Sequence, residues 1–147
     1  MKIEKYSKQY LEPCAALYVE VFNDKPWNDR WNASSAKKRL LSIAGQEDFR
    51  GLVSLEDGAL TGMVFGSTNH WYDGKIFNID EICVKKEFRG KGAGRALLGA
   101  LEERLRMDGV RLVYVLTARN NYSDRYYLAN DFILSKDIIV LTKRLGD

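Results

Sequence analysis

Residues 76–116 constrain the fold more than any other stretch. "IFNIDEICV" reads as an apolar strand, and the turn after it carries Gly90, Gly92 and Gly94 at alternate positions. Leu97, Leu98, Leu101 and Leu105 then mark one face of a helix that Gly109 ends. "VRLVYVL" at 110–116 is a nearly continuous apolar strand, as expected where both faces of a sheet are covered. A strand–helix–strand unit of this kind closes as a right-handed crossover, which makes its two strands parallel. The chain must therefore build an α/β sheet around this unit.

The flanking sequence supplies the other elements. "KIEKY" reads as a first strand, and residues 8–22 carry Leu11, Ala15, Tyr18, Val19 and Phe22 at helical spacing. Pro13 fits that helix only if the regular part starts near it. "ASSAKKRLLSIAG" reads as a second helix, with Ser34 or Ser35 as N-cap and Gly45 as its stop. "DFRGLVSLE" and "ALTGMVFGSTNHW" are joined by Asp57-Gly58, a hairpin turn, and Asp73-Gly74 leads into the strand before the glycines. "NYSDRYYLAND" is a short helix, and "ILSKDIIVLTKRL" supplies the last strand material. The expectation is a single domain over residues 1–147. Its fold class is α/β, with a mixed, mostly antiparallel sheet of six or seven strands and about four helices, and the two central strands parallel around the glycine turn.

Charge sharpens what the turn can do. The whole chain carries a net charge of +3. Lys85, Lys86, Arg89, Lys91 and Arg95 stand against Glu87 alone, so one short loop exceeds the charge of the entire protein. A helix N-terminus presents amides without intrahelical partners, and glycines let a ligand approach them, so this is a natural anion site. A plain strand-to-helix turn with a solvated basic face is the competing reading of the turn taken alone. Two phosphate motifs fail by letter. A Rossmann G-x-G-x-x-G would need glycine at Arg95 or Leu97, and a P-loop would need Ser or Thr at Gly92.

Other classes are disfavoured. With 20 acidic residues against 23 basic ones, a nucleic-acid partner is not expected. "MKIEKYSKQY" has no apolar signal-peptide core, and runs such as "LVYVL" are too short to span a bilayer, so no membrane partner is expected either. Cys14 and Cys83 lack metal-site spacing, which argues for no metal and for a reducing, cytoplasmic setting. His70, the single histidine, reads as structural. A homodimer is compatible with the sequence, which leaves the oligomeric state open.

The loop resembles the pyrophosphate-binding signature of the GCN5-related N-acetyltransferases, [Q/R]-x-x-G-x-[G/A], here Arg89-Gly90-Lys91-Gly92-Ala93-Gly94. "ICV" upstream is similar to the family's apolar strand end, and "NNYSDRYYLANDF" to its N-x-x-S/A-x-x-x-Y-x-x-x-G-F segment. The order of elements agrees over the full chain. Two positions depart from the family pattern: Asp131 where glycine is usual, and Lys85-Lys86 where proline is frequent. The resemblance implies acetyl-CoA as co-substrate. Arg89, Gly90, Lys91, Gly92, Ala93, Gly94 and Arg95 would hold its pyrophosphate, and the backbone edge at Ile82, Cys83 and Val84 its pantetheine arm. Asn120 and Ser123 would contact the lower pantetheine.

The implied chemistry is direct attack by a primary amine on the thioester. An alkylamine is mostly protonated at neutral pH, so a carboxylate must take its proton, directly or through water. Backbone amides can stabilise the developing oxyanion, and an acid can protonate the departing thiolate. Tyr127, seven residues after Asn120, matches the family's tyrosine beside the cofactor sulfur and is the acid candidate, against the plainer reading of Tyr122, Tyr126 and Tyr127 as packing. Asp80 and Glu81 are the base candidates, with Asp80 ahead. Successive strand residues face opposite ways, so only one should point at a given centre unless a bulge intervenes. Between the first two helices, Phe22, Trp27 and Trp31 could stack on an acceptor while Asp24 and Asp29 attract an amine. Equally, these aromatics could simply pack that segment onto the sheet.

The resulting expectation is an acetyl-CoA-dependent N-acetyltransferase acting on a small cationic amine. The alternatives are acetylation of a protein N-terminus or lysine, and a non-catalytic acetyl-CoA-binding module.

Overall fold

The computed structural model describes residues 1–147, which fall into two compact units, 1–116 and 117–147. The first unit is a five-stranded sheet in sequential order: β1 (Lys2–Lys5), β2 (Phe49–Glu56), β3 (Ala59–Trp71), β4 (Gly74–Val84) and β5 (Val110–Val115). β1 to β4 pair antiparallel, and β4 pairs parallel with β5. The mixed, mostly antiparallel architecture is the expected one, with the crossover pair parallel. The strand count is lower than the expected six or seven. Residues 133–147 form no strand, and Ile133, Leu134, Ile138, Ile139, Val140, Leu141 and Leu145 are exposed.

Three helices cover this sheet. α1 (Leu11–Phe22) and α2 (Ala33–Ala44) pack on one face, where Cys14, Leu17, Tyr18, Val21, Leu40 and Ile43 meet Val53, Met63, Phe65 and Cys83. α3 (Ala93–Met107) covers the opposite face. Its Leu97 lies beside Gly62, which alternates with Met63 along β3. Each helix begins for a local reason. A short 3-10 turn at Lys8–Tyr10 precedes α1, so Pro13 falls in the first α-helical turn, where its missing N–H costs no hydrogen bond. At α2 the cap is Asn32 rather than Ser34 or Ser35. Asn32 accepts from the Ser35 amide, and the Ser35 hydroxyl accepts from the Asn32 amide, a reciprocal box.

The far end of α3 is tied down by charge. Asp108 caps it, Gly109 leaves it at φ 81°, and Arg50 of β2 pairs with the Asp108 carboxylate. Lys75 of β4 donates to the Asp108 carbonyl at 2.9 Å, placing a second cation at the negative end of the helix dipole. These ties fix α3 along the sheet, so the position of its N-terminus is fixed as well. His70 lies on the surface against Asp48 at 2.8 Å, in keeping with a structural role.

The second unit is built on α4 (Tyr122–Ala129), which Asn121 caps in a box with Asp124. No helix of the chain is long and apolar enough to cross a membrane.

Candidate active site

The centre of the first unit is a break in register. On β3 Phe65 faces Glu81, yet the next residue, Gly66, faces Ile79, so Asp80 has no residue opposite it. This is a β-bulge, and it re-aims side chains. In an unbroken strand Ile79, Glu81 and Cys83 would share one face. Here Phe77 and Ile79 stand opposite Thr68 and Gly66, on the α3 side, while Glu81 and Cys83 stand opposite Phe65 and Met63, on the α1–α2 side. Asp80 joins the α1–α2 side too. Its Oδ1 accepts from the amide of Asn78 at 2.9 Å, and Arg39 of α2 acts on its charge. Both acidic side chains therefore face the same helices. Gly66 makes the bulge possible, because a Cβ there would lie 2.2 Å from the Asn78 carbonyl oxygen and 2.5 Å from the Phe77 ring.

The two carboxylates are held differently. Glu81 Oε1 accepts from the Tyr18 hydroxyl at 2.8 Å and from Arg39 Nε and Nη2 at 3.1 and 3.0 Å. Its side chain is only 14% exposed. Burial pushes its pKa up, Tyr18 and Arg39 pull the other way, and the Asp80 charge adds to the rise, so the net direction is upward. Asp80 is likewise raised by burial, against the charge of Arg39 and the amides of Gln46 and Asn78. Its second oxygen, Oδ2, is buried with no hydrogen-bond partner. A buried carboxylate oxygen without a donor is costly, so it is poised to accept a proton or a hydrogen-bonded ligand.

Neither thiol of the chain is poised to react. Burial pushes the Cys14 thiol up to about 12. Cys83 is also raised by burial and by the Glu81 charge. Both stay protonated at neutral pH, which is unfavourable for a cysteine nucleophile.

Beyond the bulge β4 loses its parallel neighbour. Pairing with β5 ends at Ile79 opposite Val115, while Ile82, Cys83 and Val84 continue to pair with β3 alone. Their other edge has no strand beside it, which is the geometry required to take an extended ligand as an added strand. A 3-10 turn at Lys86–Phe88 follows, and Arg89 Nε folds back to the Val84 carbonyl at 3.0 Å, tying the glycine turn to the strand end. Gly90 and Gly92 have φ of 74° and 86°. Gly92 is the N-cap of α3 and contributes no side-chain cap, whereas α2 and α4 are both closed by asparagine boxes. Nothing lies within 4 Å of a Cβ built on Gly90 or Gly92, so this turn has open space over it. The residues from Arg89 to Arg95 thus fit an anionic group such as a pyrophosphate.

The segment between α1 and α2 is ordered by its own contacts. The Asn23 side chain accepts from the Trp31 amide and donates to the Trp31 carbonyl, both at 2.8 Å. Asp29 accepts from the Trp31 indole at 3.0 Å. Tyr18 packs on Phe22 and Trp31 with ring centroids 4.6 and 4.9 Å apart, and Phe22 on Trp27 at 5.5 Å. Asp24 lies 3.9 Å from Lys86, next to the glycine turn. Phe22 and Trp31 are therefore linked through Tyr18 to Glu81. Their packing role is real, and it places aromatic faces beside the acidic pair.

In the second unit, the Asp124 carboxylate accepts from the amides of Asn120, Asn121 and Arg125, and these bonds hold its pKa below the usual carboxylate range against burial. Asn120 sits at φ 57°. The Ser123 hydroxyl bonds that of Thr117 at 2.7 Å. Tyr127 is buried, with its ring against Tyr126 and Phe132 at 5.2 Å in each case. Asp131 adopts φ 68°, the left-handed conformation that aspartate tolerates better than most residues, so its departure from glycine is accommodated.

Tyr18 and Arg39 escaped the sequence reading. Tyr18 sits at a core position of an amphipathic helix, and Arg39 reads as one cation on a solvated face. The bulge did leave a trace, because a glycine inside a strand pattern, Gly66, marks such an irregularity.

Comparison with known proteins places the chain. Residues 11–132 match the acetyltransferase (GNAT) family. A protein of Archaeoglobus fulgidus described as an uncharacterized N-acetyltransferase is 30% identical over 141 residues, covering 89% of this chain and 92% of its own. The fold is similar to that of a soil metagenomic aminoglycoside acetyltransferase solved in complex with sisomicin, with TM-score 0.76, 17% identity, and coverage of 99% of this chain and 96% of that one. It is also similar to aminoglycoside N-acetyltransferase AAC(6')-Iy solved in complex with CoA, with TM-score 0.77, 21% identity, and coverage of 97% and 94%. The chain belongs to the GNAT family of acetyltransferases. It is an N-acetyltransferase.

Proposed function

We propose that this protein uses acetyl-CoA to acetylate the primary amine of a small cationic acceptor by direct attack. The observation that carries the reading is the bulge at Asp80. It turns two partly buried carboxylates towards one face at the point where β4 parts from β5, one strand-end away from an open glycine turn. Acetyl-CoA, when bound, supplies an acetyl group activated as a thioester. The amides from Gly90 to Arg95 hold its pyrophosphate, and the free edge of Ile82, Cys83 and Val84 aligns its arm. Asp80 takes a proton from the acceptor's ammonium, directly or through water, and so frees the amine that attacks the thioester; its Oδ2 is the carboxylate oxygen without a donor. Tyr127 gives a proton to the departing thiolate, and Asn120 and Ser123 line the lower arm.

Phe22, Trp27 and Trp31, with Asp24 and Asp29, form the acceptor side, where aromatic faces and carboxylates suit a cation. The aminoglycoside acetyltransferases that share the fold, one solved with sisomicin, support a small-molecule acceptor. Two cysteines that are free rather than joined in a disulfide fit a reducing, cytoplasmic setting.

The test is acceptor-dependent release of free CoA thiol from acetyl-CoA across polyamines, aminoglycosides, amino acids and short peptides. Turnover is expected with one amine class. Asp80→Asn and Tyr127→Phe should each lower kcat by about 10²–10⁴-fold. Turnover only with peptides would replace the small acceptor by a protein amine. Binding of acetyl-CoA without turnover on any acceptor would point to a binding module.

A further inference from the structure

Two carboxylates adjacent in sequence and turned to one face repel each other, so their shared charge must be managed. Arg39 is the guanidinium that does so. It grips Glu81 through two nitrogens on Oε1, while Tyr18 donates to the same oxygen from a different helix. Glu81 is thus immobilised by three donors on one oxygen, whereas Asp80 is met by the neutral amides of Asn78, on Oδ1, and Gln46, and its Oδ2 has no hydrogen-bond partner. We infer that Arg39 and Tyr18 are positioning residues, which fix Glu81 as the standing anion of the site and leave Asp80 as the carboxylate that exchanges its proton. The inference deepens the proposed reaction, in which Asp80 is the base, and rests on it for its catalytic meaning.

The charges around the pair make the consequence calculable in sign. From α1 the pair is faced by Tyr18, from α2 by Arg39, and from β4 itself by Cys83, while β3 offers only Phe65 and Met63 opposite. Gln46 and Asn78 are the neutral polar neighbours of Asp80. Arg39 stays charged, because burial lowers its proton affinity less than Glu81 and Tyr18 raise it. With both carboxylates ionised, the site therefore holds two negative charges against one cation, one negative charge in excess of neutrality. Removing Arg39 leaves two like charges together, and one of them must bind a proton at higher pH. Neutralising Glu81 instead leaves Arg39 beside Asp80 alone, which favours the ionised form of Asp80. The two substitutions should move Asp80 in opposite directions.

The experiment is a carbon-13 NMR titration of the side-chain carboxyls of Asp80 and Glu81 in the full chain, which needs no acceptor. With Arg39→Gln, the first protonation of the pair should move up by about 1–3 pH units. Arg39→Lys should give a smaller rise, since a point charge replaces the two-nitrogen grip. Glu81→Gln should move the Asp80 midpoint down, and Tyr18→Phe should move the Glu81 midpoint up, because a hydrogen bond to its charged form is lost. If Arg39→Gln does not fold, Glu81→Gln and Tyr18→Phe carry the same test. An Asp80 midpoint unmoved by Glu81→Gln, or a Glu81 midpoint unmoved by loss of Tyr18, overturns the assignment. The acidic limb of kcat/KM should shift in step with the Asp80 midpoint. Intact titrations with an unshifted limb would instead remove Asp80 as the base while leaving the electrostatic arrangement standing.

Discussion

At the scale of single residues, the partial burial of Asp80 costs stability. Its folded pKa lies above the unfolded value of about 4, as does that of Glu81. Over the interval from the unfolded to the raised folded value, the folded state binds more protons than the unfolded one. Stability therefore falls as pH rises through that window, and both groups disfavour folding above it. Asp80→Asn is accordingly expected to raise Tm at neutral pH even as it removes turnover, since an amide can occupy the site without charge. Thermal melts of wild type and variant at pH 4 and pH 7.5 check this. The gain should be present at the higher pH and shrink at the lower. No gain at pH 7.5 would mean that Arg39 already offsets the burial of Asp80. None of this was legible in the letters "DE", which announce two charges and not their surroundings. The strand reading put Asp80 ahead of Glu81. The donors that distinguish the two come from α1 and α2, tens of positions away in the chain.

At the scale of elements, the chain closes two helix N-termini with asparagine boxes and begins α3 on a bare glycine. Asn32 and Asn121 cap α2 and α4 with side chains, while α3 begins on Gly92 at φ 86°. Gly92→Ala meets no neighbouring atom, so its cost is conformational, about 1–2 kcal/mol for placing a Cβ in the left-handed region. The expected outcome is a lower Tm together with a KM for acetyl-CoA raised several-fold, as the turn relaxes and its amides drift from their ligand. Tm and steady-state kinetics at saturating acceptor would separate the two effects. Gly66→Ala differs, because the new Cβ meets a carbonyl oxygen and a ring at once. Overpacking of that kind costs about 1–3 kcal/mol, and far-UV melts should show it as a drop in Tm larger than that of Gly92→Ala. Among the elements, the glycine turn was the easiest to read, because its signal is local: three glycines, a charge surplus and a leucine face. The cap of α2 was misread by two or three residues, since Asn32, Ser34 and Ser35 are all competent and only the reciprocal bond decides between them.

At the scale of the whole molecule, the crossover and the hairpins followed from period and turn chemistry. The last strand did not. "DIIVLTKRL" has the apolar content of a strand, but a strand exists only when another edge accepts it, and the local sequence carries no record of that edge. Residues 133–147 form no strand. The bulge has a last consequence, for how such a chain can change over time. Phe77 and Ile79 serve the layer under α3, while Glu81 and Cys83 serve the layer under α1 and α2. The two layers are phased against each other by one residue. Substitution at position 80 touches a single side chain, but deletion of that residue would force one layer to turn inside out. Lineages descended from this sequence should therefore vary in composition here far more readily than in length.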